Sequence, residues 1–308
     1  MERLLVVALA GFAASLVDGA LGMGFGPTCS TLLLVAGLAP AAVSFTVNLA
    51  KIATGAAGGF AHWKFGNSDR NIILSLMIPG MFGAAAGAAI IGTVDPKVVR
   101  PVLAVLLIAI AAKMLLRFST LGPELHTSNG TPNHTHIRIA GFLGGVTNGL
   151  IGAWGPVATP AVLAQRGVEP RVAVGSVNIA EIGVAVAASV SLLGSVGTSN
   201  IDVSVLMALL IGGVIAAPAA AWIVKKIPTQ PLGIAVAAML LFTNARDLCT
   251  SFDVGTQRWI IYGALALAVG ATARRARANQ SNEESTHLDH RPAPGHGLVV
   301  AGPQDLGS

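Results

Sequence analysis

Long apolar runs separated by short polar stretches dominate the chain. Four of these runs contain few or no charged residues: 72–92, 98–116, 203–224 and 231–243. An apolar helix of about 20 residues matches the thickness of the hydrocarbon core of a bilayer. Only 11% of the residues are charged and the mean hydropathy is +0.72, whereas soluble domains carry roughly twice that charged fraction. The pattern therefore predicts an all-α integral membrane protein.

The apolar runs predict nine membrane segments joined by short polar connections. The predicted segments are about 4–38, 41–61, 71–93, 98–117, 138–165, 171–194, 202–225, 229–245 and 257–273. The first and fifth are interrupted by glycine and proline. The stretch after the last segment is rich in Asn, Glu, Ser, His, Pro and Gly, which are residues that build no packed core. We therefore expect a disordered tail after the ninth segment.

Two parts of the chain repeat one another at a constant offset of 130 residues. The matched pairs include Phe12 and Phe142, Gly22 and Gly152, Pro40 and Pro170, and Asn48 and Asn178. Chance similarity between apolar helices matches Ala and Leu, not Gly, Pro and Asn at one offset. The predicted organisation is a first membrane repeat (1–118), a polar linker (119–137), a second membrane repeat (138–246), a final transmembrane helix (247–273) and the disordered tail (274–308).

The first segment of each repeat contains a break rich in glycine. The first break, GALGMGFGP, begins at Gly19, and the second, GLIGAWGP, begins at Gly149. Glycine lets the backbone leave a helix, and proline suits the first turn of a new one. The pieces on either side are too short to cross a bilayer alone. Each interrupted segment is therefore either one kinked helix or two half-helices that meet inside the membrane and turn back.

The distribution of basic residues favours half-helices that turn back. Each repeat would then cross the membrane three times, and the two repeats would have opposite orientations. This arrangement places most basic residues on one side, including Lys64, Arg70 and the cluster of arginines at 274–277, whereas full crossing largely removes the bias. The positive-inside rule thus predicts inverted repeats with a cytoplasmic C-terminal tail. Inverted repeats with broken helices are a recurrent plan of transporters.

Polar residues within the second segment of each repeat are candidates for function. Asn48 and Lys51 are neighbours on one helix face, and Asn178 and Glu181 are their equivalents at the offset of 130. One interpretation is that Lys51 attracts an anionic substrate while Glu181 carries a coupled proton. The other is a buried ion pair that only holds the two repeats in register.

The two breaks are the second candidate. A half-helix that begins at Pro27 or Pro156 would direct its free N–H groups and positive dipole end into the membrane, which suits a small anion. Asp18, which aligns with Asn148, is either an ion ligand or a cap. The alternative is that the glycines only allow close helix packing. The residues predicted to bind substrate are Gly24, Gly26, Pro27, Thr28, Asn48, Lys51, Trp154, Gly155, Pro156, Ser176 and Asn178, and those predicted to couple transport or form an ion pair are Asp18, Lys51 and Glu181.

The excess of positive charge does not indicate nucleic-acid binding, because the basic residues lie at the ends of the predicted helices. The sequence contains no phosphate-binding loop and no nucleophile–base pair, so we expect no cofactor and no enzymatic activity. The closely spaced histidines of the linker lack the spacing of a defined metal site. The expected partners are a small anionic substrate and the lipid bilayer, with a homo-oligomer left open.

Several motifs resemble the TauE/SafE family of membrane permeases. They are VDGALGMGFGPTCSTLLL, AHWKFGN, GAWGPVATPAVL and PRVAVGSVNIAE, and the resemblance covers about residues 5–270. It implies a protein of the bacterial or archaeal inner membrane with two homologous halves. It also implies transport of sulfite or of organosulfur anions such as sulfonates. The subgroup that the chain most resembles would have His at position 48, an acid at position 51 and Asp at position 148, so the chain departs from it at all three.

The leading functional hypothesis is therefore a secondary transporter of small anions, most simply of the sulfite or sulfonate type. Its site would lie at mid-membrane between the repeats. An uncoupled permease or channel-like protein is the first alternative. A membrane-embedded enzyme or assembly factor is the second, and it would have to work with Asp18, Lys51 and Glu181 alone.

Overall fold

A computed structural model describes residues 2–21, 23–120, 130–196, 203–223 and 229–289. These residues form eleven α-helices and no strand, so the all-α prediction is confirmed for this part of the chain. The helices are α1 (Glu2–Leu21), α2 (Phe25–Val35), α3 (Pro40–Lys64), α4 (Arg70–Thr93), α5 (Pro96–Thr120), α6 (His134–Ile151), α7 (Gly155–Leu163), α8 (Pro170–Val196), α9 (Val203–Ile223), α10 (Thr229–Ser251) and α11 (Arg258–Asp289).

Both interrupted segments break where the glycines predicted it, between α1 and α2 and between α6 and α7. The last helix differs from the expectation. α11 continues to Asp289, beyond the boundary that we placed at residue 273. The first part of the expected tail is thus helical, and residues 290–308 lie outside the described residues, as do residues 121–129 of the linker.

Side-chain caps set the start of two helices. The carboxylate of Asp69 accepts hydrogen bonds from the backbone N–H groups of Asn71 (2.7 Å) and Ile72 (2.9 Å) at the start of α4. Asn133 does the same at the start of α6, four residues before the boundary that we predicted. Such caps satisfy backbone donors that have no partner within the helix.

α4 and α6 pack in parallel, backbone against backbone. A Cβ atom on any of three glycines of α6 would strike a main-chain oxygen of α4, and the pairs advance together along both helices: Gly141 with Leu76, Gly145 with Gly80 and Gly149 with Ala84. Gly83 and Gly87 of α4 meet the backbone of α6 in the same way. Small residues spaced four apart allow this approach, which favours helix association in lipid.

α1 and α9 form a second close pair. Gly11 lies against the carbonyl of Leu209, and Gly212 lies against the carbonyl of Ala8. In both pairs a helix of the predicted first repeat packs on a helix of the predicted second repeat, namely α4 on α6 and α1 on α9. The two halves are therefore interleaved.

α3 and α8 cross at the centre and run antiparallel. Lys51 of α3 meets Glu181 of α8, whereas His62, three turns further along α3, meets Asn178, which lies earlier in α8. Gly59 packs between these points against Ile179. The crossing places the polar residues of both helices in the middle of the bundle, where Asn48 is fully buried and Lys51 is 4% exposed.

The outer surface is apolar, which agrees with a membrane location. Phe82 is 71% exposed, Ile260 74% and Leu267 77%. Among the described residues, three helical stretches are long and apolar enough to cross a membrane by length and composition: Arg70–Thr93, Pro96–Ser119 and Arg171–Gly194. Shorter apolar helices include α2, which is the piece that follows the first break.

Candidate functional site

Lys51 is the centre of a buried polar cluster. Its Nζ donates to the carboxylate Oε1 of Glu181, to the backbone carbonyl of Gly152 at 2.5 Å and to the amide oxygen Oδ1 of Asn148 at 3.1 Å. An ammonium group has three donors, and here each has an acceptor. The cluster therefore joins α3, α6 and α8 at one point.

The carboxylate of Glu181 is the one charged ligand of Lys51 among the described residues. The side chain of Glu181 is only 13% exposed. Two buried charges that have lost their hydration stabilise each other, whereas one buried charge without its partner costs several kcal/mol of stability. The geometry contains the buried ion pair of the second interpretation. It is also compatible with the first interpretation, in which Lys51 attracts an anionic substrate, because another anion can replace a carboxylate as a ligand.

A pair of asparagines connects α3 to the end of α6. Nδ2 of Asn148 donates to Oδ1 of Asn48 at 2.6 Å, and Nδ2 of Asn48 donates back to the carbonyl of Asn148 at 3.2 Å. Nδ2 of Asn48 also donates to the carbonyl of Ser44, and the hydroxyl of Ser44 donates to the carbonyl of Gly149. Both asparagines are fully buried. This network fixes the orientation of the Asn148 amide and so directs its oxygen toward Lys51.

The first break brings Asp18 close to the same point. Oδ1 of Asp18 accepts a hydrogen bond from the backbone N–H of Phe25 at 3.2 Å, so the acid caps the start of α2. Gly24 between them has φ 142°, a conformation that only glycine adopts readily. The next glycine, Gly26, lies against the carbonyl of Gly152, and a Cβ atom there would also come within 3.2 Å of Nζ of Lys51.

The second break is held by hydrogen bonds on both sides. Gly152 has φ 69°, and its N–H donates to the carbonyl of Asn148 at 2.6 Å, which ends α6. The hydroxyl of Ser30 on α2 donates to the carbonyl of Ile151 at 2.5 Å. The indole N–H of the fully buried Trp154 donates to the carbonyl of Val177 at 3.2 Å. The polar groups of this break are thus engaged by the protein itself.

Thr28 is different, because its buried hydroxyl has no hydrogen-bond partner among the described residues. The residue lies in the first turn of α2 and is 2% exposed. Its backbone N–H donates to the carbonyl of Gly24, so the turn itself is well formed. A buried hydroxyl without a partner costs free energy that a ligand could recover.

Two residues of the predicted site make their contacts elsewhere. The hydroxyl of Ser176 accepts a hydrogen bond from the N–H of Asp69, and Nδ2 of Asn178 lies 3.3 Å from Nε2 of His62. These contacts lie at the junction of α3, α4 and α8, away from Lys51. Trp154, Gly155 and Pro156 lie at the second break, and Trp154 packs against Gly80 and Gly144.

Four groups of the cluster were absent from the sequence-based site: Ser44, Ser30, the side chain of Asn148 and the carbonyl of Gly152. Asn148 was considered only as the counterpart of Asp18. Ser44 could have been found, because it lies one turn before Asn48 and two turns before Lys51 on the same face. Ser30 lies one turn after the predicted residue Gly26. The carbonyl of Gly152 could not have been predicted from the sequence, because every residue carries a backbone carbonyl and only the fold decides which one a side chain meets.

The charges of the site are two carboxylates and one ammonium group. Asp18, Glu181 and Lys51 lie close enough to interact electrostatically, and the thiol of Cys29 lies within electrostatic range of Asp18 and Lys51. No three His, Cys, Asp or Glu residues group as metal ligands in the described part of the chain. The arrangement offers a positive charge whose ligands are two neutral oxygens and one carboxylate.

Comparisons with known proteins show which family the chain belongs to. The family model described as Sulfite exporter TauE/SafE matches residues 7–246. The chain is also 36% identical over 275 residues to a Bacillus subtilis (strain 168) protein described as probable membrane transporter protein YtnM, and the match covers 88% of this chain and 90% of that protein. No solved structure gives a significant match. The chain therefore belongs to the TauE/SafE family, and its broad function is membrane transport.

Proposed function

We propose that the chain is a secondary transporter of small anions, of the sulfite or sulfonate type, in the cell (inner) membrane of its host. The substrate site would lie between two inverted repeats, at the point where both breaks approach Lys51. The observation that carries the proposal is the buried ammonium group of Lys51, which is held by the end of α6 on one side and by Glu181 of α8 on the other.

The direction of the central helices supports inverted repeats. α3 and α8 are the equivalent helices at the offset of 130, and they cross antiparallel. A two-fold axis in the membrane plane produces this relation, whereas repeats of one orientation would leave equivalent helices parallel. Lys51 and Glu181 occupy equivalent positions and touch, as expected of residues that lie at such an axis. The cytoplasmic location of the C-terminal tail belongs to the same proposal.

The ligands of Lys51 explain how an anion would enter. All three donors of the ammonium group are in use, so an anion has to replace one acceptor. The carbonyl of Gly152 is fixed in the backbone, and the amide of Asn148 is fixed by Asn48. Glu181 is therefore the ligand that gives way, and its carboxylate, which would be repelled by that of Asp18, then takes up a proton.

The first break supplies further donors for the anion. The start of α2 carries the positive end of a helix dipole, and the unpartnered hydroxyl of Thr28 lies in its first turn. An oxyanion such as sulfite or a sulfonate accepts several hydrogen bonds at once, which suits a site that offers a hydroxyl as well as an ammonium group. Gly26 leaves room for this approach, since its missing side chain is what lets α2 lie against Gly152.

The experiment that tests the proposal is substrate-dependent flux in proteoliposomes. Sulfite, methanesulfonate, acetate and a divalent cation would be offered separately, with and without a pH gradient. We expect uptake of sulfite or the sulfonate by the native protein and, in buffers free of potassium and ammonium, loss of that uptake in Lys51→Ala. Lys64→Ala, an exposed lysine on the same helix, is the matched control and should keep it. Cation flux without any anion flux would overturn the proposal.

A facilitative permease is the second candidate, and the asparagine pair favours it. Asn48 and Asn148 are buried where a coupled transporter could carry titratable groups, and neither amide binds or releases a proton. In this case the same liposomes would show anion flux that follows the anion gradient alone. A flux that rises with an imposed pH gradient would exclude it.

A further inference from the structure

We propose that the ammonium group of Lys51 occupies a site for a small monovalent cation, which the protein fills with its own side chain. The inference rests on the proposed function for its role in transport, because the tethered charge would replace a cation that otherwise has to bind with the anion. The site consists of the carbonyl of Gly152, the amide oxygen of Asn148 and the carboxylate of Glu181.

The three ligands are oxygen atoms that converge on one point. Two are neutral and one is charged, so a single positive charge balances them. A divalent cation would call for more carboxylates among its oxygen ligands. The oxygens lie at hydrogen-bond distance from Nζ, and K⁺ and ammonium have nearly the same radius. Potassium and ammonium are therefore the cations that this cage should accept best.

The backbone prepares this cage independently of Lys51. α6 ends at Ile151, so the carbonyl of Gly152 stands at the negative end of the helix dipole. Carbonyls released at the ends of broken helices are the groups that bind coupling cations in transporters with this plan. The amide of Asn148 is oriented by Asn48 on α3, and Glu181 comes from α8. Removal of the Lys51 side chain would leave these oxygens facing one another.

A second carboxylate strengthens the attraction for a cation. Asp18 lies within electrostatic range of both Lys51 and Glu181, although its hydrogen bond goes to the N–H of Phe25. Among the described residues, Lys51 is the one cation in this group of charges. A site with two carboxylates and a vacated ammonium position would therefore bind a cation rather than remain empty.

The test measures thermal stability of the purified protein in salts that share one anion. Native protein, Lys51→Ala, Lys51→Ala/Glu181→Gln and Lys64→Ala would each be melted in the chlorides of potassium, ammonium, sodium and N-methyl-D-glucamine at equal ionic strength. The last cation is too large for the cage. We expect the Tm of Lys51→Ala to be about 3 °C higher in potassium or ammonium chloride than in N-methyl-D-glucamine chloride, at concentrations well above Kd.

The other three proteins are controls that test whether the cation binds in the vacated position of Lys51. The native protein and Lys64→Ala should melt at the same temperature in every salt, because Nζ already fills the cage. The double variant should also show no dependence, because the charged ligand is gone. A Lys51→Ala protein that melts at one temperature in all four salts would overturn the inference. So would a Lys51→Ala protein that fails to fold in every salt while the double variant folds.

The melting result is independent of transport, so the two proposals can fail separately. A Tm shift in Lys51→Ala, combined with a native protein that carries no anion, would leave the cation cage in place and remove the proposed function. Anion flux by the native protein without a Tm shift in Lys51→Ala would support the proposed function and overturn the cation cage. If both hold, anion flux by Lys51→Ala should require potassium or ammonium, whereas native flux should not.

Discussion

The two helix breaks use the same backbone device for unlike chemistry. Each has glycine with positive φ, namely Gly24 in the first break and Gly152 in the second. In the first break the aligned polar residue is Asp18, which caps α2 and lies within electrostatic range of Glu181. In the second it is Asn148, whose amide receives Lys51. One break thus carries a negative charge, and the other holds a positive one.

The two breaks also differ in how far their polar groups already have partners within the protein. The polar groups of the second break are engaged by Lys51, Asn48 and the hydroxyl of Ser30. The first break retains the unpartnered hydroxyl of Thr28. We infer that the second break is the anchor of the site and the first break is the side from which substrate gains its remaining contacts.

The largest effect should follow from removing the carboxylate that pairs with Lys51. Glu181→Gln leaves the buried ammonium group without its hydrogen-bonded counter-ion, and we expect a loss of about 3–5 kcal/mol in stability. Lys51→Met/Glu181→Leu removes both charges and should recover most of that loss, but it should transport no anion. Thermal melts and liposome flux measure the two properties. A double variant that still carries the anion would restrict the pair to a structural role.

The close approach of the two breaks is the next target. Gly26→Ala would place a methyl group on the carbonyl of Gly152, and overpacking of this kind costs about 1–3 kcal/mol. Gly58→Ala on α3 is the matched control, because a Cβ atom there meets nothing within 4 Å. That control should keep its stability or gain slightly. If Gly26→Ala melts like the control, the breaks do not depend on direct backbone contact.

A smaller effect isolates the hydroxyl that distinguishes the first break. Thr28→Val keeps the shape of the side chain, so stability should hold or rise, while KM for the anion should increase by about tenfold for one lost hydrogen bond. Thr31→Val provides the comparison. It removes the acceptor of Asn244, so it should lose about 1 kcal/mol in stability with KM unchanged. An unchanged KM in Thr28→Val would exclude the hydroxyl from the site.

The smallest effect should come from making the two breaks alike. Asp18→Asn gives the first break the amide of the second and keeps an oxygen that can accept from the N–H of Phe25. The stability should change little, and loss of a negative charge should lower KM for an anion by about fivefold. Flux measured over a range of substrate concentrations gives this value. A rise in KM would indicate that Asp18 serves the substrate through its charge.

Local rules predicted the breaks, but they could not predict which side chains converge. Glycine and proline act on their own backbone, so the interruptions at Gly24 and Gly152 follow from the sequence. The offset of 130 also paired Lys51 with Glu181, and the two touch. Asn178 shares a helix face with Glu181 by spacing, yet it contacts His62 near the end of α3, and Ser176 contacts Asp69 in the α3–α4 connection, because the packing of α8 against its neighbours decides what each turn meets.

The sequence also could not predict which helices pack against each other. Glycines at every fourth position of α6 indicate close packing, but they do not name the helix that fills the groove. α4 fills it because its own glycines have the matching spacing. The helical extension to Asp289 was missed for a different reason, since composition reports the lack of a core and not the lack of a helix.

The pairing of α1 with α9 has a consequence for the synthesis of the protein. Gly11 meets Leu209, so the first helix receives its partner only after 198 more residues have been made (209 − 11). Until then its narrow glycine face is open to lipid or to other chains, and such late, distant pairing slows folding. Assembly of the N-terminal half is therefore completed by the C-terminal half, and a chain cut before α9 would leave the ribosome with its earliest helix still unpaired.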